Sequence, residues 1–211
     1  MSKYQFITTD QPVGRFYITR ISANKLIPIA QSKERSPYNS TGIQRKLDTR
    51  RVNEIAKYCE SPMAMFPTPI ILSGKSNYFK FYRTDNDFVE SEENYNDLNS
   101  GFIKIDSEKI MKDRNFLSIV DGQHRLEGFR DNIVSNFELI VTIFIDLEID
   151  QQADIFSTIN SQQTKVDPSL NLNLELNSNV YTPKKMMIEI AQSFNYDDSS
   201  HWYKVIKMLT T

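Results

Sequence analysis

Cysteine and histidine are almost absent: the 211 residues include one Cys and two His. A lone thiol excludes an internal disulfide and fits a reducing compartment. With so few His and Cys, no zinc site can be assembled from them. There is no Gly-rich stretch ending in Gly-Lys-Ser/Thr, which excludes a P-loop, and no Glu-x-Lys triplet of the restriction-nuclease kind. The most apolar run, residues 139–145 (LIVTIFI), is far short of the roughly 20 residues that span a bilayer. The start, MSKYQF, carries no apolar core of a secretory signal. Charge of one sign is lacking too: 25 basic against 27 acidic side chains give −2. A protein that coats nucleic acid without specificity shows a basic excess instead. A soluble, cytoplasmic protein without a membrane segment is expected.

What is present suits one folded domain. Aromatic residues make up 11% of the chain, enough to build a core on rings. The length fits a single α/β domain over residues 1–211. The absence of any capping signal at its end reads as a piece of something longer, or as a short member of its kind. RFYITRI (15–21) alternates as a strand does, and residues 32–42 carry turn chemistry. A helix is predicted over 48–59, capped by Asp48 or Thr49, with Val52, Ile55, Ala56 and Cys59 on one face. That face makes Cys59 a packing residue. PIILS (69–73) and YFKFYR (78–83) read as strands. Residues 84–101, acidic and Asn-rich, read as a mobile surface loop. FLSIV (116–120) predicts a buried strand, 126–133 a helix, 137–147 a long strand and 151–159 a helix. Pro168 opens a further helical stretch. Pro183 begins a helix to 194, and 202–209 has the pattern of a strand.

Between the strand at 116–120 and the helix after it lies Asp121-Gly-Gln-His-Arg125. A glycine turn at a strand–helix junction brings unpaired backbone N–H groups towards a ligand. His124 and Arg125 add donors, and the planar fork of Arg suits phosphate. Asp121 has three roles open to it: orienting His124 or Arg125, holding a metal such as Mg²⁺ through water, or capping the helix. The plain alternative is a turn that needs Gly, with the Arg paired to the acid. One short loop supplies too little energy for micromolar binding of a nucleotide, about 8 kcal/mol, so a second stretch is required. Residues 155–170, IFSTINSQQTKVDPSL, are the candidate, through Asn160, Gln163 and Lys165. The bland reading is an amide-rich helix end with Asn160 as a cap. Residues 43–57 hold the one local basic excess. Gln44, Arg45, Arg50 and Arg51 point to DNA or to the pocket, and the bland reading is a solvated helix face.

VDGQHRLEGFR resembles the signature of the DGQHR-domain family, which includes the DNA-phosphorothioation regulator DndB. It is also similar to the ParB motif Gly-x-x-Arg-x-x-Ala through Gly122, Arg125 and Gly128. It resembles the sulfiredoxin Gly-Cys-His-Arg loop through Gly122, His124 and Arg125. Gln123 stands at the sulfiredoxin catalytic Cys, so sulfinic-acid repair is not expected. ParB-like proteins carry Glu-Asn-x-x-Arg with a Pro beyond it. Here Asn160 and Pro168 keep that layout, while Gln163 replaces the Arg, which weakens the case for triphosphate hydrolysis. The family pattern also extends over residues 42–59 and the following FPTPIILS, so the likeness spans roughly residues 15–209.

The resemblance implies an α/β (α+β) fold, a ParB/sulfiredoxin-like mixed sheet with flanking helices. It implies a nucleotide- or phosphate-binding regulator or accessory factor in bacterial DNA modification (phosphorothioation-like) or defence. Gly122, Gln123, His124, Arg125, Asn160, Gln163 and Lys165 would bind phosphate, with ATP or CTP and Mg²⁺ as cofactors. Its partners would be DNA or DNA-modification proteins. Two alternatives stand beside it. One is an enzyme that hydrolyses a nucleotide or cuts DNA, with Asp121 and His124 as its catalytic pair. The other is a DNA-binding repressor that needs no nucleotide. Which nucleotide, which DNA target and which oligomeric state are not written in the residues.

Overall fold

The computed structural model describes residues 2–34, 42–89, 97–130, 136–162, 175–176 and 179–206. The chain falls into two compact units, residues 1–160 and 161–211. Among the described residues, the first unit carries nine strands, β1 (Lys3–Gln11), β2 (Gly14–Ser22), β3 (Ala30–Gln31), β4 (Ile70–Gly74), β5 (Phe79–Tyr82), β6 (Phe88–Val89), β7 (Ser100–Ile105), β8 (Leu117–Asp121) and β9 (Glu138–Ile145). Its helices are α1 (Ala23–Leu26), α2 (Thr49–Cys59), α3 (Ser107–Lys112), α4 (Gln123–Glu127) and α5 (Ile149–Ser161); the second unit has α6 (Pro183–Tyr196). The strands form one mixed sheet in the order β3-β8-β4-β9-β2-β1-β7-β5-β6. The expected α/β architecture, a mixed sheet with flanking helices, is what the chain adopts.

The central strand explains the longest apolar run. β9 lies between β4, parallel to it, and β2, antiparallel to it. Val141 to Phe144 are buried on both faces, so the period of two that marks a half-exposed strand is lost there. β8 runs antiparallel to β4, with Asp121 opposite Ile71 and a register shift between Ile71 and Leu72. Asp121 therefore sits where β4 begins, at the mouth of the sheet.

Two groups of rings fill the core. Phe6, Tyr17 and Phe81 meet with centroids 5.0–5.7 Å apart. Phe66, Phe129 and Phe137 form the second group at 5.1–5.7 Å, with Tyr58 stacked edge-on against Phe66. The second group ties the end of α2 to the turn after α4. Burying a side chain such as Phe129, 1% exposed, contributes about 1.5–3 kcal/mol. Cys59 is buried in the hydrophobic core, as its place on the helix face predicted, and burial pushes its thiol pKa up.

Several elements differ from the expectations. β1, β7 and α3 were not anticipated, because their apolar residues are interleaved with Lys, Asp and Ser. The stretch 84–101 is not a loop throughout: Phe88–Val89 pairs with β5, and β7 begins at Ser100. The helix expected over 126–133 starts earlier, at Gln123, so Gln123, His124 and Arg125 are helical rather than loop residues. Residues 201–205 form turns, not a strand. Hydrogen bonds from Tyr203 to Ser200 and from Lys204 to Asn195 close that backbone on itself. The stretch following Pro168 lies outside the described residues.

Candidate functional site

Three pieces of chain meet around Asp121–Arg125: the end of β8 with α4, residues 44–51 leading into α2, and Thr68 before β4. Gly122 makes the turn possible. It is the N-cap of α4 with φ +94°, in the left-handed region. An added Cβ would lie 2.6 Å from the Cδ1 of buried Ile70 and 3.2 Å from an Arg125 nitrogen. Shape and backbone angle both demand glycine. Gly128, at the end of α4, serves packing instead. A Cβ there would lie 2.6 Å from Ile55 Cγ2, so its bareness lets α2 and α4 touch.

Each side chain of the motif is engaged. Arg125 donates from Nη2 to Asp121 Oδ2 at 2.8 Å, and from Nη1 to the carbonyl and hydroxyl of Thr68, both at 2.6 Å. Its guanidinium is largely buried, and desolvation lowers its pKa, offset in part by the Asp121 charge. Of the three roles open to Asp121, the geometry gives it the orienting of Arg125; the cap position belongs to Gly122. A magnesium ion at this carboxylate would sit against the guanidinium. Among the described residues no three His, Cys, Asp or Glu side chains gather as a metal site.

His124 accepts the backbone N–H of Asp48 on Nε2 at 3.1 Å. Burial lowers its pKa first, and the nearby Arg51 lowers it further. Accepting that N–H takes an unprotonated Nε2, so in this arrangement the ring proton is on Nδ1. Gln123, 7% exposed, donates to the Arg45 carbonyl at 3.2 Å. Gln44 is buried too, and its amide donates to the carbonyls of Ile119 and Val120. Gln44 thus builds the site from within.

Among the described residues, a stretch that meets the motif is residues 44–51. It is fixed at three points, by Gln44, by the Arg45 carbonyl and by the Asp48 amide. Asp48 then caps α2, accepting from the N–H groups of Arg50 and Arg51. Arg45, Lys46 and Arg51 are exposed, and among the described residues they enter no ion pair, whereas Arg50 pairs with Glu54 at 3.0 Å. Of the stretch 155–170, Asn160 donates to the carbonyl of Phe156 at 2.8 Å, a bond within the last turn of α5. That is close to the bland reading of Asn160. Gln163 and Lys165 lie outside the described residues.

Thr68 and Asp48 hold the site without having been marked as site residues. The signal for Thr68 was legible in Pro67-Thr68-Pro69: two prolines remove backbone donors and leave a carbonyl for Arg125. Among the described residues no helix is long and apolar enough to cross a membrane.

The family model DndB, described as DNA-sulfur modification-associated, matches residues 5–201 of the chain. No curated protein matches it. Among solved structures, the chain is similar to the C-terminally truncated chromosome-partitioning protein ParB from Caulobacter crescentus, complexed with CTP-gamma-S. The identity is 11%, over 82% of this chain and 70% of that one, with a TM-score of 0.44.

Proposed function

The chain belongs to the DndB family, DNA-sulfur modification-associated proteins, and on that premise we propose that it is a phosphate-binding regulator or accessory factor of DNA-sulfur modification that contacts DNA. The observation that carries this is the placement of Arg45, Lys46 and Arg51: exposed cations, without an ion pair among the described residues, on a backbone locked by the Asp121–Arg125 motif. Helix stability does not explain Arg51. Arg50 and Arg51 occupy the first turn of α2, which holds no acidic residue. Cations there oppose the helix dipole, at a cost of about 0.3–1 kcal/mol each. A phosphate backbone would turn that cost into attraction. In this reading the motif is the buttress. Arg125 ties Asp121 to Thr68, His124 and Gln123 hold residues 45–48, and the exposed side chains reach the anion.

The test is the salt dependence of DNA binding, followed by fluorescence anisotropy on a labelled duplex. Each phosphate that is no longer neutralised reduces the slope of log K against log salt by about 0.9. Replacing Arg45 and Arg51 by Ala together should flatten the slope by roughly 2 and weaken binding on all sequences. Arg50→Ala, which removes a cation already paired with Glu54, should do less. An unchanged slope in the double variant sinks the proposal. A nucleotide arm belongs in the same experiment. Binding of ATP or CTP with Mg²⁺ that disappears in the same double variant would assign these cations to a free nucleotide instead of to DNA.

A further inference from the structure

Strands β1, β7 and β5 are neighbours at one end of the sheet, and β8, which carries the motif, lies five places from β7 in the strand order. One face of these strands is core: Phe6, Phe79, Phe81, Ile103 and Ile105 are buried there. Strand alternation turns Lys3, Lys80, Tyr82, Phe102 and Lys104 to the opposite face. The antiparallel registers set these side chains in two rows. Lys80, Lys104 and Lys3 stand directly opposite one another across β5, β7 and β1. Two residues along the strands, about 7 Å away, Phe88, Tyr82 and Phe102 stand opposite one another across β6, β5 and β7.

The lysine row does not serve the fold. Like charges directly opposite on neighbouring strands are destabilising. β5 and β7 hold no acidic residue, and Asp10, the one acid of β1, is taken by Arg15 at 2.7 Å. Among the described residues Lys80 and Lys104 enter no ion pair. Lys3 pairs with Asp85 at 3.6 Å, and its ammonium lies 4.0 Å from the centre of the Tyr82 ring. Asp85 is 74% exposed, so that pair is weak and readily exchanged. The rings are open as well. Phe88 is 44% exposed with its ring 5.3 Å from that of Tyr82, and Tyr82 and Phe102 are half-buried.

An occupant must bring anions to the lysines and flat apolar bodies to the rings. An acidic peptide supplies only the first. A duplex has the phosphates, but its base faces are stacked inside. A single strand supplies both at once, with bases on the aromatic row and phosphates on the lysine row. We infer that this outer face of β1, β7, β5 and β6 binds single-stranded nucleic acid, with about three nucleotides laid across the strands. The site is separate from the duplex contact through Arg45 and Arg51.

The test is fluorescence anisotropy of the full chain with labelled oligo-dT and oligo-rU. Replacing Lys80 and Lys104 by Gln together should weaken binding at least tenfold. It should also flatten the slope of log K against log salt by about 1.4, at ~0.7 for each phosphate of a single strand. The same change relieves like-charge repulsion, so the melting temperature should hold or rise, which a damaged fold would not show. Phe88→Ala should weaken binding about fivefold or more with the salt slope kept, because the ring carries no charge. Tighter binding of oligo-dT identifies DNA as the occupant, and tighter binding of oligo-rU identifies RNA. No binding of either strand at low salt, or undiminished binding in the double-lysine variant or in Phe88→Ala, overturns the inference. Displacement of the strand by an equal concentration of poly-glutamate assigns the face to an acidic peptide and overturns it too. The Arg45/Arg51 variant separates the two readings: it should lose the duplex and keep the single strand. Loss of the single strand in that variant, with the double-lysine variant unimpaired, overturns this inference and leaves the duplex reading standing.

Discussion

His124 gives its Nε2 lone pair to the backbone of Asp48, and a proton on that nitrogen would set two donors against each other. Its pKa is below the ordinary 6.5, from burial first and then from Arg51. The sign of the pH effect follows. The unfolded chain takes up this proton more readily than the folded one, so the His124 contribution is complete above about pH 6.5 and is lost as pH falls through the folded pKa. We expect urea-unfolding stability to drop between pH 7 and 5. In His124→Gln, which keeps a non-titrating acceptor, the drop should be shallower. Parallel pH profiles for the two proteins would refute the assignment. The neighbouring residues of the motif were legible to different degrees. The need for Gly at 122 could be read from the strand–helix junction. That Arg125 would be turned inward onto Asp121 and Thr68 could not, because Thr68 is 57 residues away in sequence.

At the scale of elements, α2 is the piece that converts a buried motif into an exposed surface. Its extent was readable from Asp48 and the spacing of Val52, Ile55, Ala56 and Cys59, and the helix runs from Thr49 to Cys59. Asp48 works through both its side chain and its amide, by capping α2 and by bonding His124. Asp48→Ala should lower stability by about 1 kcal/mol through the missing cap, and Asp48→Asn should recover most of it. Chemical denaturation of the three proteins checks this. Equal stabilities would mean that the cap is not holding the helix. The short helix α4 was misplaced by the sequence reading for a physical reason. Its first turn, Gln123 to Arg125, is polar, because those side chains bond to residues 45, 48, 68 and 121 and not to the apolar core, so periodicity found only the part that follows.

At the scale of the molecule, the sheet and the core lie within one unit. Among the described residues, the buried apolar cluster begins at Phe6 and ends at Ile143, and every strand pairing is made within residues 3–145. The strands and the buried cluster that carry the motif thus belong to the first unit among the described residues. A fragment of residues 1–160 should therefore unfold cooperatively in urea and keep the far-ultraviolet signature of a mixed sheet. A gradual, non-cooperative transition would show that the second unit is needed for the core. The net charge of −2 hid the exposed cations Arg45, Lys46 and Arg51, because whole-chain charge averages over the surface.

The residues alone settled the capped helix that ends at Cys59, the central apolar strand and the motif at 121–125. Each rests on neighbours a few positions apart, where side-chain period and turn chemistry act. Only the tertiary structure decided the motif's partner. The sequence pointed to residues 155–170 as the second wall. Of that stretch, residues 163–170 lie outside the described residues; among the described ones, residues 44–51 come onto the motif, where Gln44, the Arg45 carbonyl and the Asp48 amide close its hydrogen bonds. That choice is made by the sheet order, which seats β8 between β3 and β4. No local pattern encodes a strand's neighbours.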